Sequence, residues 1–401
     1  MGWQSTTHLI APPSRTGVSV MLGTLRDLGG ALHRHLLWIM LATYVLAAVL
    51  PGPGEALRSL SLGRVAGTAI PLQAGLLALV VLNAGLTART ELLPALLRRP
   101  GPLLLGIAVN ALLPALLLAA GSVAAEGWHS QREAQSLLVG LALIGAMPVA
   151  AGATVYSQGS AGNATLTLGL VVGSTLLSPL TIPFGLHLGG FLTTGDYASD
   201  LHESARAAGS LFAALTVVLP CGIGLLTGRA VALLGRELKP ALPVIRLFNL
   251  AVVVTLSYTN GCGALQPVIR RSDPDFLLLV VLAAALMCGV SFLTGWVIAG
   301  RLRFGRPDAI ALTYASGMNN SSAGAVLAAT RIPDHPLVLL PILAYSMLQK
   351  LLAGSVHRFL PAVDTDSDSD VTVGPDPDRC TGQASRVRPS QSLSSRTPGR
   401  T

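Results

Sequence analysis

The sequence predicts an all-α, polytopic membrane protein: about ten transmembrane helices in two inverted five-helix repeats, with discontinuous helices four and nine crossed at the centre. Three observations predict it. Of the 401 residues, 51% are apolar, only 11% are charged and the mean hydropathy is +0.62, too little charge to cover a soluble surface of this size. The apolar residues fall in blocks of roughly 15 to 25, the length that crosses a bilayer. Two of those blocks, "GAMPVAAGATVYSQGSAGN" (145–163) and "SGMNNSSAGAVLA" (316–328), carry polar clusters at membrane depth.

Taken in order, the spans are Leu36–Leu50, Ala66–Leu86, Gly101–Ala124, Ser136–Gln158, Thr165–Leu188, Gly209–Leu226, Ala241–Thr259, Phe276–Ala299, Ala309–Ala329 and Pro336–Leu352. Helices are expected because lipid cannot satisfy open backbone groups, and the alternating ten-residue strands of a closed barrel are not seen. Spans two, three and four are followed by spans seven, eight and nine at an offset of roughly 172 residues. With five spans per unit the second copy enters from the opposite face, which is an inverted-topology repeat. The expected units are a cytoplasmic segment 1–35, repeats 36–192 and 204–360, and a tail 361–401. The tail carries "DTDSDSD" and "RPSQSLSSRTPGR", compositions that cannot bury a core and predict disorder.

The short loops hold 12 Lys and Arg on the side of the N-terminus against 7 on the other, which places both termini in the cytoplasm. The net charge of +8 is thereby spent on anchoring and topology, and no nucleic-acid partner is expected. Cys221, Cys262, Cys288 and Cys380 have neither metal nor disulfide spacing. No h-region with a small-residue cleavage site precedes the first span, so no removable signal is expected. Arg-rich, Lys-poor, Ala/Gly-rich usage points to a bacterial cytoplasmic membrane.

The two polar centres carry the chemistry. Pro148 removes a helical hydrogen bond, and Gly152 and Gly317 permit unwinding. Unwound backbone at membrane depth survives only inside protein or against a cavity, so two broken helices should meet near the midplane. Their N-terminal ends favour an anionic group, and their C-terminal ends and free carbonyls a cation. Candidate substrate contacts are Gly317, Asn320, Ser321 and Ser322 in one cluster and Ser157, Gln158 and Asn163 in the other. The competing reading is structural, since Ser, Thr and Asn also hold membrane helices together. All 19 acidic residues lie in loops, termini or near span ends, so a bound cation must be held by neutral oxygens.

These residues resemble the bile acid:sodium symporter family, through "MPVAAGATVYSQGSAGNATLTLGLVVGSTLLSPL" (147–180), "SGMNNSSAGAVLA" (316–328) and the ten-span pattern from about residue 36 to 355. The resemblance implies a core bundle with crossed broken helices and a facing panel bundle. It also implies uptake of an organic anion, such as a carboxylate or bile-acid-like solute, driven by sodium through alternating access. The family's Ser–Asn pair in broken helix four falls on Ala153 and Thr154, and the hydroxyls of the next helix on Thr167 and Val171. Its Glu-x-Gly-Met-Gln-Asn pattern falls on Ala315 to Asn320, so the shared sodium-site Glu is Ala315 and the Gln is Asn319. The implied cation set is Thr154, Thr167, Ala315, Met318, Asn319 and Asn110. With Ala315 where the family has a carboxylate, proton coupling and uncoupled transport stay open. The arsenite-exporter family is a weaker resemblance, because Val149 follows Pro148 where that family has a cysteine. No cofactor is expected beyond a sodium coupling ion. The expected partners are a small organic anion and the lipid bilayer, and the oligomeric state is left open. A channel is a further alternative. An enzyme is not expected: no HExxH or GxSxG occurs, and His187 alone among the histidines lies well inside an apolar block.

Overall fold

Backbone polar groups have no water to bond in a bilayer, and the chain answers with helices whose bonds close internally. The computed structural model describes residues 35–65, 68–88, 100–207, 214–235, 238, 240–271 and 273–359. The segment expected over 1–35, save His35, and the tail expected over 361–401 lie outside the described residues.

The helices are α1 (Leu36–Val49), α2 (Pro51–Ser59), α3 (Leu72–Leu86), α4 (Pro100–Ala125), α5 (Gln131–Gly145), α6 (Gly152–Gly159), α7 (Ala164–Phe191), α8 (Asp196–Ala207), α9 (Leu219–Leu233), α10 (Leu242–Arg271), α11 (Pro274–Arg301), α12 (Arg306–Gly317), α13 (Ser321–Arg331) and α14 (Leu339–Phe359). Among the described residues six helices are long and apolar enough to cross a membrane, or up to seven if α1 and α2, bent by 91°, form one span. Large apolar side chains stay exposed along them, among them Leu116, Leu180, Leu226 and Leu286, as lipid-facing surfaces require. Pro114 lies inside α4, and Pro179 and Pro183 inside α7, positions that membrane helices tolerate.

The structure differs from the sequence expectation in three places. The second span does not begin at Ala66. An antiparallel hairpin of β1 (Ser61–Val65) and β2 (Thr68–Pro71) precedes it, and α3 starts only after Pro71, which has no amide to continue a strand ladder. A second difference is α8, an amphipathic helix that begins between the two expected repeats and runs into the second. It is held by Thr194, whose backbone N–H donates to Gln135 Oε1 at 2.9 Å, and by Tyr197, whose hydroxyl pairs with Ser136 Oγ at 3.1 Å. Third, a π-helical turn, Ala214–Val218, leads into α9.

Small residues let α3 and α9 approach closely. A side chain at Gly85 of α3 would strike the carbonyl of Cys221, and one at Gly224 of α9 would strike that of Leu82. Without a hydrophobic force between helices in lipid, such backbone approach supplies the packing.

Candidate functional site

The fourth and ninth expected spans are both broken. The helix α5 stops at Gly145 and α6 starts at Gly152; α12 stops at Gly317 and α13 starts at Ser321. The two gaps lie against each other, with Val149 and Asn319 forming an isolated antiparallel bridge. The backbone N–H of Ala150 donates to Met318 O at 2.8 Å, and that of Asn320 donates to Pro148 O at 2.9 Å. A β-like pair therefore replaces the helical bonds lost at the breaks, which is how backbone can leave a helix at this depth without orphaned groups.

Side chains complete the repair. Ser174 of α7 accepts from the Val149 N–H at 3.0 Å. Gln349 of α14 accepts from the Asn319 N–H at 3.0 Å and donates to Ser321 Oγ at 3.3 Å. The Asn319 amide donates to the carbonyl of Ile144, in the last turn of α5, at 3.1 Å, and its oxygen accepts from the Asn110 amide at 2.9 Å. The Gly317 carbonyl at the end of α12 accepts from Tyr345 Oη at 3.2 Å. Asn320 caps α13 by accepting from the Ala323 N–H at 3.2 Å. Both helix C-termini thus end on amide or hydroxyl donors, while α6 and α13 start at the same crossing with their positive ends.

The structure brings together Asn110, Met318, Asn319, Asn320 and Ser321, all at or against the crossing. Other expected site residues lie elsewhere. Thr167 and Ser157 share a 2.8 Å hydroxyl contact between α7 and α6, and Thr167 also donates to Asn163 O at 3.0 Å. Thr154 donates within its own turn to Ala151 O at 2.7 Å. Asn163 caps α7 and donates to Asp308 Oδ1 at 2.6 Å, and Gln158 is exposed in the last turn of α6; both lie farther from the crossing than the start of that helix. Ser322 is half-buried at the start of α13, and Ala315, Ala153 and Val171 are buried. Gly317 sits against the ring of Phe292, where a side chain would collide.

Sequence reasoning missed Ser174, Gln349, Ser346, Tyr345 and Lys350. Ser321 Oγ donates to Ser346 Oγ at 2.9 Å, and Lys350 Nζ donates to Ser346 O at 2.8 Å and to its Oγ at 3.0 Å. Lys350 carried a signal, being an ionisable side chain inside an apolar block. Elsewhere, Gln73 Nε2, Asn83 Nδ2 and Asn260 Oδ1 are buried without a hydrogen-bond partner among the described residues, on α3 and α10.

Two discontinuous helices meeting inside a multi-pass membrane protein are a construction that secondary transporters use. Residues 74–265 match the model described as the Sodium Bile acid symporter family, and the family resemblance read from the polar stretches is thereby borne out. That match includes the first break and stops before the second. The chain is also similar to two proteins of Bacillus subtilis (strain 168). It is 26% identical to the uncharacterized sodium-dependent transporter YocS over 278 residues, 69% of this chain and 78% of that one. It is 25% identical to the uncharacterized protein YbaS over 221 residues, 54% of this chain and 66% of that one, just under two thirds of its length.

Proposed function

We propose that this protein is a secondary active transporter of a small organic anion, a carboxylate or bile-acid-like solute, moved by alternating access and coupled to a cation. It lies in the cell membrane with both termini in the cytoplasm. The carrying observation is the paired crossing of the breaks at Val149 and Asn319, which sets two helix N-termini and two helix C-termini around one polar centre. Such ends favour an anion and a cation respectively. In this reading the broken and bent segments each count as one span, giving ten spans in two inverted five-helix repeats over 36–192 and 204–360. The cation contacts are Asn110, Thr154, Thr167, Met318 and Asn319 with backbone carbonyls; Gly317, Asn320, Ser321 and Ser322 face the solute, with Ser157, Gln158 and Asn163 along its path.

Sodium is the coupling ion that the family and the name of YocS suggest. A second reading, proton-coupled or uncoupled carriage, is favoured by the buried methyl of Ala315, which offers no charge to a cation. The test is uptake into proteoliposomes of pyruvate, 2-oxoglutarate and cholate, with and without an inward sodium gradient. Saturable, gradient-stimulated uptake with counterflow is expected. Linear uptake without counterflow would mean a channel, and saturable uptake indifferent to sodium would favour the second reading.

A further inference from the structure

Lys350 is the twelfth of the 21 residues of α14. At 1.5 Å per residue it lies roughly 14 Å or more from either end of a helix about as long as the bilayer core is thick. The nearer end of the apolar span, at Val356, lies C-terminal to it, and helix side chains lean the other way. Nζ turns back one helical turn onto Ser346. Among the described residues no carboxylate forms an ion pair with it. An ammonium in apolar surroundings without a counter-charge is costly to keep, and such a side chain in a membrane helix marks a binding or translocation site.

Its surroundings are those of the crossing. Ser346 accepts from Ser321, the first residue of α13, and Ser321 accepts from Gln349, which holds the backbone of Asn319. Asn319 in turn is tied to Asn110 on α4. From the other side, α1 packs against α14 and α10 packs against α13. The ammonium and the positive end of α13 therefore lie in one polar network. The ammonium adds a full positive charge to the partial one at the start of α13, and together they attract an anion.

We propose that Lys350 is the fixed positive charge of the substrate site, and that the anionic group of the transported solute docks on its ammonium at the start of α13. This rests on the carrier reading above and names the group that receives the anion. A solute carboxylate supplies the missing counter-charge, so the acid enters and its neutral amide does not.

The test uses the full chain in proteoliposomes as wild type, Lys350→Met, Lys350→Gln and Lys350→Arg. The probes are pyruvate and cholate, each with its amide as competitor. The expected result is saturable uptake of an acid by the wild type with no competition from its amide. Lys350→Met and Lys350→Gln should raise KM or lower the rate at least tenfold while remaining monodisperse with an undiminished Tm, and Lys350→Arg should recover part of the loss. If either neutral variant, folded by those criteria, moves the acid with unchanged KM, the docking role is overturned and the carrier reading stands. If the amide competes as well as the acid, charge is not what is recognised and the proposal falls. If the wild type moves neither acid saturably, the carrier reading fails and takes the proposal with it.

Discussion

Asn110 donates its side-chain amide to the side-chain oxygen of Asn319 at 2.9 Å, although 209 residues separate them. The Asn319 side chain also donates to Ile144 O, and the residue's backbone N–H donates to Gln349, so one residue joins α4, α5 and α14 at the second break. The bonds to Ile144 O and from the Asn319 N–H satisfy backbone groups that an unbroken helix would pair with itself. Truncating either asparagine is expected to cost about 1–3 kcal/mol, since a buried partner is left open. Because the two share a bond, a double-mutant cycle of Asn110→Ala and Asn319→Ala should show a coupling of about 0.5–3 kcal/mol by melting in detergent. Strict additivity would mean that the two amides do not act together.

Gly317 tests the geometry of the second break. A side chain there meets the ring of Phe292 on α11, while the Gly317 carbonyl is held by Tyr345. Gly317→Val is expected to destabilise by about 1–3 kcal/mol through overpacking. Adding Phe292→Ala should recover part of that loss in the melting temperature. No recovery would place the strain elsewhere than at this ring.

Thr154 separates a ligand role from a structural one. Its hydroxyl donates only within its own turn, to Ala151 O. Thr154→Ala should therefore leave membrane abundance unchanged while uptake falls severalfold. Uptake equal to the wild type would remove Thr154 from the cation set.

Ala315 tests the coupling ion. It is fully buried on α12, two residues before the break. Ala315→Glu places there a carboxylate whose charge needs a partner. The variant should gain sodium dependence of uptake and melt at higher temperature in sodium chloride than in choline chloride. At saturating sodium the linkage is worth about 2.7 kcal/mol for a hundredfold excess over Kd. Equal melting in the two salts would refute the assignment of this position.

Asp200 on α8 predicts a pH dependence. Burial raises its carboxyl above the usual carboxylate value of 3.8, and His335, whose Nε2 lies 3.5 Å from Oδ2, pulls it back by less. A raised folded value means that the folded chain holds this proton more tightly than the unfolded chain. The stability so gained is full below 3.8 and is lost as pH rises through the raised value. Asp200→Asn should remove this loss, so its Tm should gain on the wild type as the pH is raised through that window. Parallel Tm curves would show that the carboxyl is not perturbed.

The resemblance to a known family and the presence of two polar breaks were legible because both are local. Pro148 and Gly317 announce interruptions by their own chemistry, and the length of the apolar blocks announces the bilayer. The hairpin at 61–71 was not legible, because "SLGRV" and "TAIP" are too short to separate from a helix start. The partners of the breaks were hidden for another reason. Ser174, Tyr345 and Gln349 sit in helices whose sequence shows nothing of what they face, and they lie roughly 25 to 30 residues from the groups they satisfy. Gln158 and Asn163 follow the first break closely in sequence. Yet α6 carries its far end away from the crossing at 1.5 Å per residue, so Asn163 caps α7 instead.

By itself the sequence determined that this chain lives in lipid, that its segments are helical and that two of them fail at their centres. Those properties follow from transfer free energy and from backbone bonding along a single segment, and both act locally. Only the tertiary structure decided what meets at the failures: that Val149 pairs with Asn319, that Asn319 plugs the end of another helix, and that Lys350 joins the same network. Such meetings depend on which helix faces which, and packing across hundreds of residues sets that.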